Sequence, residues 1–335
     1  VSADGTFEVS FVAPEGSYNE YDVILKENSA EFERLENVVF GELWLASGQS
    51  NMQYPLAQDK DGAAMFLNSE KLSKWLRVLL VPAYCENVVE KTYADPQQDI
   101  AGAEWVTGEN GAVYSMSAVA YHFAADLMSE LDMPVGILNA SLGGSSIESW
   151  LSREAIDGDD AVKNSLVSSK RYIERSNWSE SEQNIYADMA ANYNHKIEAL
   201  SHFRPSGMIW YQGESDLMSD ISEADYGAMY DLMQRSYSEL FCFENELMPF
   251  ICTQLAAYLY SDEGYNLIDW NMNYCKIQAA HPESRAVVTI YDVPLTYVPE
   301  AGPIHPECKR EIGERMAFAA KGLVYGGEDA YTAAT

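Results

Sequence analysis

Basic residues are scarce in this sequence. Its 335 residues include 21 lysines and arginines against 52 aspartates and glutamates, which gives a formal net charge of −31. Such a chain would repel nucleic acids and anionic membrane surfaces, so we expect neither as a partner. The acidity is typical of a solvated surface, and it makes a highly charged anionic polymer a less suitable substrate than a neutral glycan.

Cysteines and long apolar runs are also few. The five cysteines are odd in number and lack a closely paired metal-binding pattern, so we expect neither a disulfide framework nor a zinc site. No apolar stretch approaches the length of a membrane span, and residues 1–5 do not resemble a signal peptide. The sequence leaves the compartment and the oligomeric state open.

With 47% hydrophobic residues, the chain can bury a full core. From residue 38 onward, short apolar segments alternate with stretches of helical periodicity. These patterns predict strands at 38–46, 77–82, 135–140, 207–211, 249–255 and 286–291, and helices at 117–131, 186–202, 225–240, 268–280 and 306–320. The alternation is typical of a parallel sheet with helices on both faces, which binds ligands beyond the carboxyl ends of its strands.

The segment Gly-Gln-Ser-Asn-Met, residues 48–52, directly follows the first predicted strand. A serine becomes a useful nucleophile when its hydroxyl is exposed and a positioned base takes its proton. Gly48 allows a sharp turn at the strand end, and a helix opened by Ser50 and Asn51 directs free N–H groups towards developing negative charge. An ordinary turn with a helix cap is the alternative interpretation of so short a motif.

Other strand ends carry small or amide residues too, and they contribute Gly143, Gly144 and Gln212, while His305 precedes the last predicted helix. Acyl transfer needs a nucleophile, a base and donors aimed at the oxyanion. Ser50, His305 and the three donor candidates together offer these parts.

These blocks resemble the SGNH hydrolase superfamily, and in particular its sialate O-acetylesterase and carbohydrate acetylesterase branch. The resemblance covers nearly the whole chain and rests on Gly48–Met52, Gly143–Trp150, Trp210–Ser215 and His305–Lys309. The third block, Trp-Tyr-Gln-Gly-Glu-Ser, is the most specific of them. Met52, in a position where α/β-hydrolases have glycine, speaks against that other serine-hydrolase fold.

The resemblance implies a three-layer α/β/α, flavodoxin-like hydrolase domain with a parallel sheet over residues 38–335. It also implies that residues 1–37 are the tail of an N-terminal β-sandwich. Alternating apolar and polar side chains at 6–12 and a second run at 21–25, on either side of a turn at 14–16, agree with a pair of strands there.

The resemblance further implies an oxyanion hole made by the Ser50 N–H, an N–H of the Gly143–Gly144 pair and the Gln212 amide. It suggests a set of substrate-binding residues around them, for which a purely structural role is the alternative interpretation. This set is Gln49, Asn51, Trp150, Asn194 and Glu214.

The acid that orients His305 is the open part of the predicted site. Many members of the branch place an aspartate two or three residues before the histidine, where this chain has Gly302 and Pro303. Asp292 and Glu300 are the nearby acids, and a backbone carbonyl is the alternative. We therefore expect a Ser-His dyad with Asp292 as the candidate orienter.

The remaining cysteine and histidine candidates carry weaker signals. Cys308 lies three residues after His305, so on a helix the two side chains would share one face. Cys308 lacks the strand-end turn that would expose its sulfur as a nucleophile. The other histidines also lack a strand-end position, so we expect them to be structural or on the surface. They are His122, His195, His202 and His281.

The function that follows is a carbohydrate O-acetylesterase that works through an acyl-enzyme on Ser50, with His305 as base and without cofactor or metal. An acetylxylan or other hemicellulose esterase is one alternative, because the acetyl end of the site is shared. A non-catalytic glycan-binding module on the same fold is the other. Specificity is expected to lie in the excursions 54–75, 152–188 and 256–267.

Overall fold

The computed structural model describes residues 9, 11–88, 91–178, 184–219, 221–260, 266–295 and 303–326. The strands of this part are β1 (Ser17–Glu27), β2 (Ala30–Phe40), β3 (Glu42–Gly48), β4 (Arg77–Leu80), β5 (Glu104–Val106), β6 (Val135–Ser141), β7 (Gly207–Tyr211), β8 (Phe250–Thr253) and β9 (Arg285–Val288). Its α-helices are α1 (Ser50–Gln53), α2 (Gly62–Leu67), α3 (Glu70–Trp75), α4 (Ala118–Leu131), α5 (Arg153–Gly158), α6 (Asp160–Ser168), α7 (Glu214–Leu217), α8 (Glu223–Leu240), α9 (Leu267–Ala280) and α10 (Arg310–Val324). No helix among the described residues is both long and apolar enough to cross a membrane.

Strand β3 lies at the centre of a seven-stranded sheet with the order β5-β4-β6-β3-β7-β8-β9. Every neighbouring pair is parallel except β4 and β5. The chain first adds strands on one side of β3 and later on the other, so the strand order reverses beside β3. Sheets of this kind bind ligands beyond the carboxyl ends of the strands at such a reversal. Ser50 follows the carboxyl end of β3.

The two faces of the sheet carry separate apolar cores. Successive side chains of a strand point to opposite faces, so Trp44 packs in the core that holds α4 and α10, and Leu45 packs in the core that holds α8 and α9. Full burial of a side chain of leucine size contributes about 1.5–3 kcal/mol, so both cores stabilise the sheet. This arrangement confirms the predicted three-layer α/β/α fold.

The long helices begin at polar caps that the sequence supplies. The Ser117 hydroxyl accepts a hydrogen bond from Ala120 N–H at the start of α4, and the Ser222 hydroxyl accepts one from Asp225 N–H at the start of α8. Helices α4, α8 and α9 agree with the predicted ones to within two residues. Helix α10 starts at Arg310, four residues later than predicted, and turns at 303–309 carry His305.

Two predicted elements are interrupted or absent in the structure. The strand predicted at 38–46 is divided at Gly41, where a Cβ atom would lie 2.0 Å from the carbonyl oxygen of Pro134. In place of a helix over 186–202 there are turns, with a π-helical turn at Tyr193–Ile197 and a 3₁₀ turn at Glu198–Leu200. Ala190 has a positive φ of 65°, which an α-helix does not accommodate.

The N-terminal strand pair is also shifted along the sequence. The hairpin pairs β1 with β2 as a separate two-stranded antiparallel sheet, whereas residues 9 and 11–16 are not in a strand. The rest of the predicted strand at 6–12 lies outside the described residues. Strand β2 runs past residue 37, the expected domain boundary, and ends at Phe40.

Candidate active site

The turn after β3 brings Ser50 out of the sheet. Gly48 has a φ of 139°, and a Cβ atom there would lie 2.2 Å from the carbonyl oxygen of Tyr211, so only glycine fits. The N–H of Gln49 donates to the same carbonyl oxygen at 2.9 Å. These two constraints hold the half-buried Ser50 at the first position of α1.

His305 lies beside Ser50, although the two residues are 255 positions apart in the sequence. Its Nε2 atom is 2.9 Å from Ser50 Oγ, within the range in which a base can take a hydroxyl proton. Both side chains line an open cavity of about 360 Å³, so a small ester can reach the hydroxyl. The other residues of this cavity are Gln53, Tyr54, Pro55, Gln58 and Ser115.

A buried polar network underlies this pair. Asn51 Nδ2 donates to Glu214 Oε1 at 2.7 Å and to the carbonyl oxygen that precedes His305 at 3.3 Å. Lys309 Nζ donates to Asn51 Oδ1 at 2.6 Å. Asn51 follows the nucleophile directly in sequence, so its side chain connects the segments that carry Ser50 and His305.

The charges of this network are out of contact with water. Burial lowers the pKa of Lys309 to about 7, and the nearby Glu214 carboxylate acts against that shift. Burial raises the pKa of Glu214, and the hydrogen bond from Asn51 opposes the rise. The ammonium group also lies 4.7 Å from the ring centroid of Tyr54, a cation–π distance. Each charge therefore depends on the other for compensation.

The Asp59 carboxylate holds the start of α10 by a hydrogen bond to the residue that precedes this helix. Its Oδ1 accepts the Lys309 N–H at 2.9 Å, and its Oδ2 lies 2.9 Å from His122 Nε2 and accepts the Gly62 N–H at 2.7 Å. Burial alone would raise the pKa of Asp59, but the bonds from His122 and Lys309 outweigh it and hold the pKa below its ordinary value. His122 is thus a buried structural residue, as the sequence predicted.

Gly143 lies against Ser50. A Cβ atom at Gly143 would be 3.3 Å from Ser50 Cβ. Its N–H donates to Gln53 Oε1 at 2.7 Å, so a side-chain carbonyl already occupies the acceptor position at this donor. The neighbouring Gly144 has a φ of 77°.

Gln212 has a different environment from the one predicted. Its amide nitrogen donates to Gln49 Oε1 at 3.2 Å and to Ser145 O at 3.0 Å, and it also contacts the Asp216 carboxylate. Its Oε1 accepts from Tyr226 OH at 3.1 Å. The side chain is fully buried, and its amide protons already have acceptors within the protein. In this arrangement Gln212 holds the loop after β7.

Comparison with known proteins identifies the family of this fold and site. A family model described as "Carbohydrate esterase, sialic acid-specific acetylesterase" matches residues 40–322. The chain belongs to this carbohydrate esterase family. The predicted resemblance to the sialate O-acetylesterase and carbohydrate acetylesterase branch is thereby confirmed.

The chain resembles individual carbohydrate esterases along most of its length. It is 26% identical over 315 residues to the human sialate O-acetylesterase, which covers 88% of this chain and 55% of the human protein. The mouse sialate O-acetylesterase is 26% identical over 325 residues, 88% of this chain and 58% of that protein. The crystal structure of XAC1771, a carbohydrate acetylesterase from Xanthomonas citri, has a TM-score of 0.76 and 27% identity, covering 97% of this chain and 65% of that one. The chain thus spans little more than half the length of the curated relatives.

The five residues predicted to bind substrate are buried and do not line the two cavities beside Ser50, an arrangement that agrees with the structural alternative. None of the five side chains is more than 4% exposed, so contact with a sugar would require the site to open. Trp150 Nε1 donates to Ser145 Oγ at 3.0 Å, and Asn194 Nδ2 donates to Tyr93 O at 2.8 Å. Gln49, Asn51 and Glu214 belong to the networks described above. All five support the site instead of lining it.

Asp292, the candidate orienter of His305, is engaged by an arginine. Its two carboxylate oxygens accept hydrogen bonds from Arg315 at 2.7 Å each, and its side chain is 67% exposed. The Arg315 guanidinium lowers the pKa of this carboxyl. Such a pairing does not favour Asp292 as the partner of His305. Glu300, the other acid considered, lies outside the described residues.

Cys308 does not have the properties of a nucleophile. Its thiol donates to Glu311 Oε2 at 2.7 Å, and burial, assisted by that bond, raises its pKa to about 11. The reactive form of cysteine is the thiolate, which is scarce at neutral pH for such a group. Among the residues that the structure describes, no three His, Cys, Asp or Glu side chains are grouped as metal ligands would be.

Proposed function

We propose that this chain is a carbohydrate O-acetylesterase that transfers the acetyl group of an acetylated sugar to Ser50 and then to water. The observation that carries the proposal is the 2.9 Å distance between Ser50 Oγ and His305 Nε2 in an open cavity at the central strand. Membership of an esterase family supports the reaction class. Two relatives are named sialate O-acetylesterases, and a third is named a carbohydrate acetylesterase.

The reaction divides into two acyl transfers. In the first, His305 takes the proton of Ser50 as Oγ attacks the acetyl carbonyl, and then gives that proton to the departing sugar oxygen. In the second, His305 takes a proton from water as the water attacks the acetyl-serine, and returns it to Ser50 Oγ as acetate leaves. General acid–base catalysis of this kind contributes about 10²–10⁴-fold in rate.

The charge that develops on the carbonyl oxygen needs donors. The N–H groups of Ser50 and Gly143 are the donors that we propose, because Gly143 lies against the nucleophile. Gln53 Oε1 accepts the Gly143 N–H, so the substrate carbonyl has to displace this side chain. One oxyanion donor is worth about 2.7–4 kcal/mol of transition-state stabilisation.

The proposal is tested by steady-state hydrolysis of p-nitrophenyl acetate. Ser50→Ala and His305→Ala should each reduce kcat to near background, whereas the matched variant Cys308→Ser, close to His305 in sequence, should keep the rate of the unmodified chain. Circular dichroism would establish that all variants fold. If the unmodified chain itself gave only background rates while it bound glycans, the non-catalytic module would be the better account. Activity that survives Ser50→Ala would contradict the acyl-enzyme.

A further inference from the structure

The cleft at Ser50 continues past Gln53 into a second cavity. This cavity has a volume of about 250 Å³ and shares Gln53 and Ser115 with the one that contains the nucleophile. It lies at the carboxyl ends of β4 and β6, beside the central strand. Its other main residues are Leu80, Pro82, Gly102, Glu104, Asn139 and Ser141. This adjoining space is available to the ring of a sugar whose acetyl group lies at Ser50.

Among the described residues that line the two cavities, only His305 and Glu104 have a basic or an acidic side chain, and Glu104 is the only carboxylate. It is exposed at the start of β5. Two lysines contact residues that line the cavities, but both lysine side chains are fully buried. Lys309 Nζ donates to Asn51 Oδ1 at 2.6 Å, and Lys196 Nζ donates to Ala83 O at 2.7 Å. Neither ammonium group is available to a ligand in the cleft.

The segments outside the described residues supply no basic side chain. By sequence they contain aspartates and glutamates but no lysine, arginine or histidine. They therefore contribute no cationic side chain to the cleft. The net charge of −31 adds a repulsive field over the whole molecule.

We infer that this cleft is built for neutral O-acetylated saccharides and discriminates against sugars that carry a carboxylate, such as O-acetylated sialic acids. A carboxylate next to the acetylated ring would face Glu104 with no cation to pair with. The uncharged polar groups of Gln53 and Ser115, which line both cavities, suit sugar hydroxyls instead. This inference rests on the proposed esterase function and defines its substrate class.

The experiment compares an anionic substrate with its uncharged methyl ester and with a neutral saccharide. Acetate release would be measured from an O-acetylated sialic acid, from the methyl ester of the same compound, and from an acetylated xylo-oligosaccharide. At low ionic strength, kcat/KM for the methyl ester should exceed that for the free acid by about 10-fold or more. The difference should shrink as salt is added, because salt screens repulsion between exposed charges.

Variants locate the source of the discrimination. Glu104→Gln should raise the free-acid to methyl-ester ratio of kcat/KM by about 3- to 10-fold, because one charge near the ligand is removed. Glu239→Gln, an equal charge change at an exposed position on α8, is the matched control and should leave the ratio unaltered. If the Glu104 variant fails to fold, the salt dependence of the unmodified chain still decides the question.

Two outcomes would overturn the inference. Hydrolysis of the free acid at a rate equal to or above that of its methyl ester, with no effect of salt, would show that the cleft accepts the carboxylate. If the unmodified chain hydrolysed no substrate, including p-nitrophenyl acetate, faster than Ser50→Ala does, the proposed function would be refuted, and the inference with it. The first outcome leaves the esterase proposal intact.

Discussion

Replacement of Lys309 by methionine is the perturbation that most directly tests the network beneath the nucleophile. Lys309 Nζ donates to Asn51 Oδ1 at 2.6 Å, and Asn51 in turn donates to Glu214 Oε1 at 2.7 Å. All three side chains are fully buried. The methionine has a similar length but no charge, so the carboxylate would lose its compensating cation while staying out of water.

The expected loss is large. Removal of one partner of a buried charge pair costs about 3–5 kcal/mol, because the other charge is left uncompensated. A typical domain is stable by about 5–15 kcal/mol, so Lys309→Met should lower the stability substantially. In Glu214→Gln no carboxylate remains, so the loss of Lys309 should cost less in that background. The two substitutions should couple by about 0.5–3 kcal/mol.

Urea unfolding of the two single variants and the double variant measures these free energies. Lys321→Met, on the exposed side of α10 in an ion pair with Glu130, is the matched control and should cost no more than about 1 kcal/mol. We also expect Lys309→Met to lower kcat, because Asn51 holds the segment before His305. A cost below about 1 kcal/mol for Lys309→Met, or additivity of Lys309→Met and Glu214→Gln within about 0.5 kcal/mol, would refute the reasoning.

Three further predictions follow from the site. Asp292→Asn should change kcat by less than about 3-fold, because Arg315 engages both carboxylate oxygens and an exposed pair contributes little; a loss of several orders of magnitude would make Asp292 the orienter of His305 after all. Gln53→Glu should lower kcat/KM at least about 10-fold, because the introduced carboxylate would accept the Gly143 N–H more strongly and compete with the oxyanion for it. An unchanged kcat/KM would mean that the Gly143 N–H is not part of the oxyanion hole. The pKa of Asp59 is lowered in the folded state, so its stabilisation is present above the ordinary aspartate pKa and is lost as the pH falls through the lowered value. The urea midpoint of Asp59→Asn should therefore fall less on acidification than that of the unmodified chain. An equal fall of the two midpoints with decreasing pH would contradict this.

Local patterns predicted most of the sheet and its helices. Parallel strands buried on both faces are continuous apolar runs, which is why β4, β6, β7, β8 and β9 were visible in the sequence. The division at Gly41 was not visible, because it depends on the close approach of Pro134 from another part of the chain.

The helix predicted at 186–202 is not formed, for a similar reason. Asn192 is fully buried and donates to Ser149 Oγ and Ile185 O at 2.9 and 3.0 Å. Such tertiary bonds outweigh the helical periodicity of the local sequence. They could not be derived from the spacing of residues.

The candidate site was predictable where it follows from topology. Strand ends meet at one edge of a parallel sheet, so Ser50 and Gly143 had to be neighbours, and the His305 block then supplied the base. Asn51 and Glu214 were named as site residues with a structural role as the alternative, but the part of Lys309 in their network was missed, although Lys309 lies in the same block as His305. Asp59 gave no local signal, since its role depends on three partners brought together by folding.

Burial and pairing determine two site residues whose surroundings the sequence did not indicate. Trp150, in a 3₁₀ turn after β6, could line a cleft or fill a core, and its 0% exposure decides for the core. Asp292 is close to His305 in sequence, but Arg315 on α10 reaches it. A sequence motif indicates which residues are near the site, and the direction in which each side chain points requires the fold.

The most direct test of the account is to identify the residue that carries the acetyl group. The chain would be mixed with p-nitrophenyl acetate, quenched in acid, digested and examined by mass spectrometry, with Ser50→Ala treated in parallel. We predict an acetylated peptide that contains Ser50 in the unmodified chain and its loss in Ser50→Ala together with turnover. Turnover without acetylation of Ser50, or turnover that persists in Ser50→Ala, would contradict the acyl-enzyme and the Ser50–His305 pair on which the account rests.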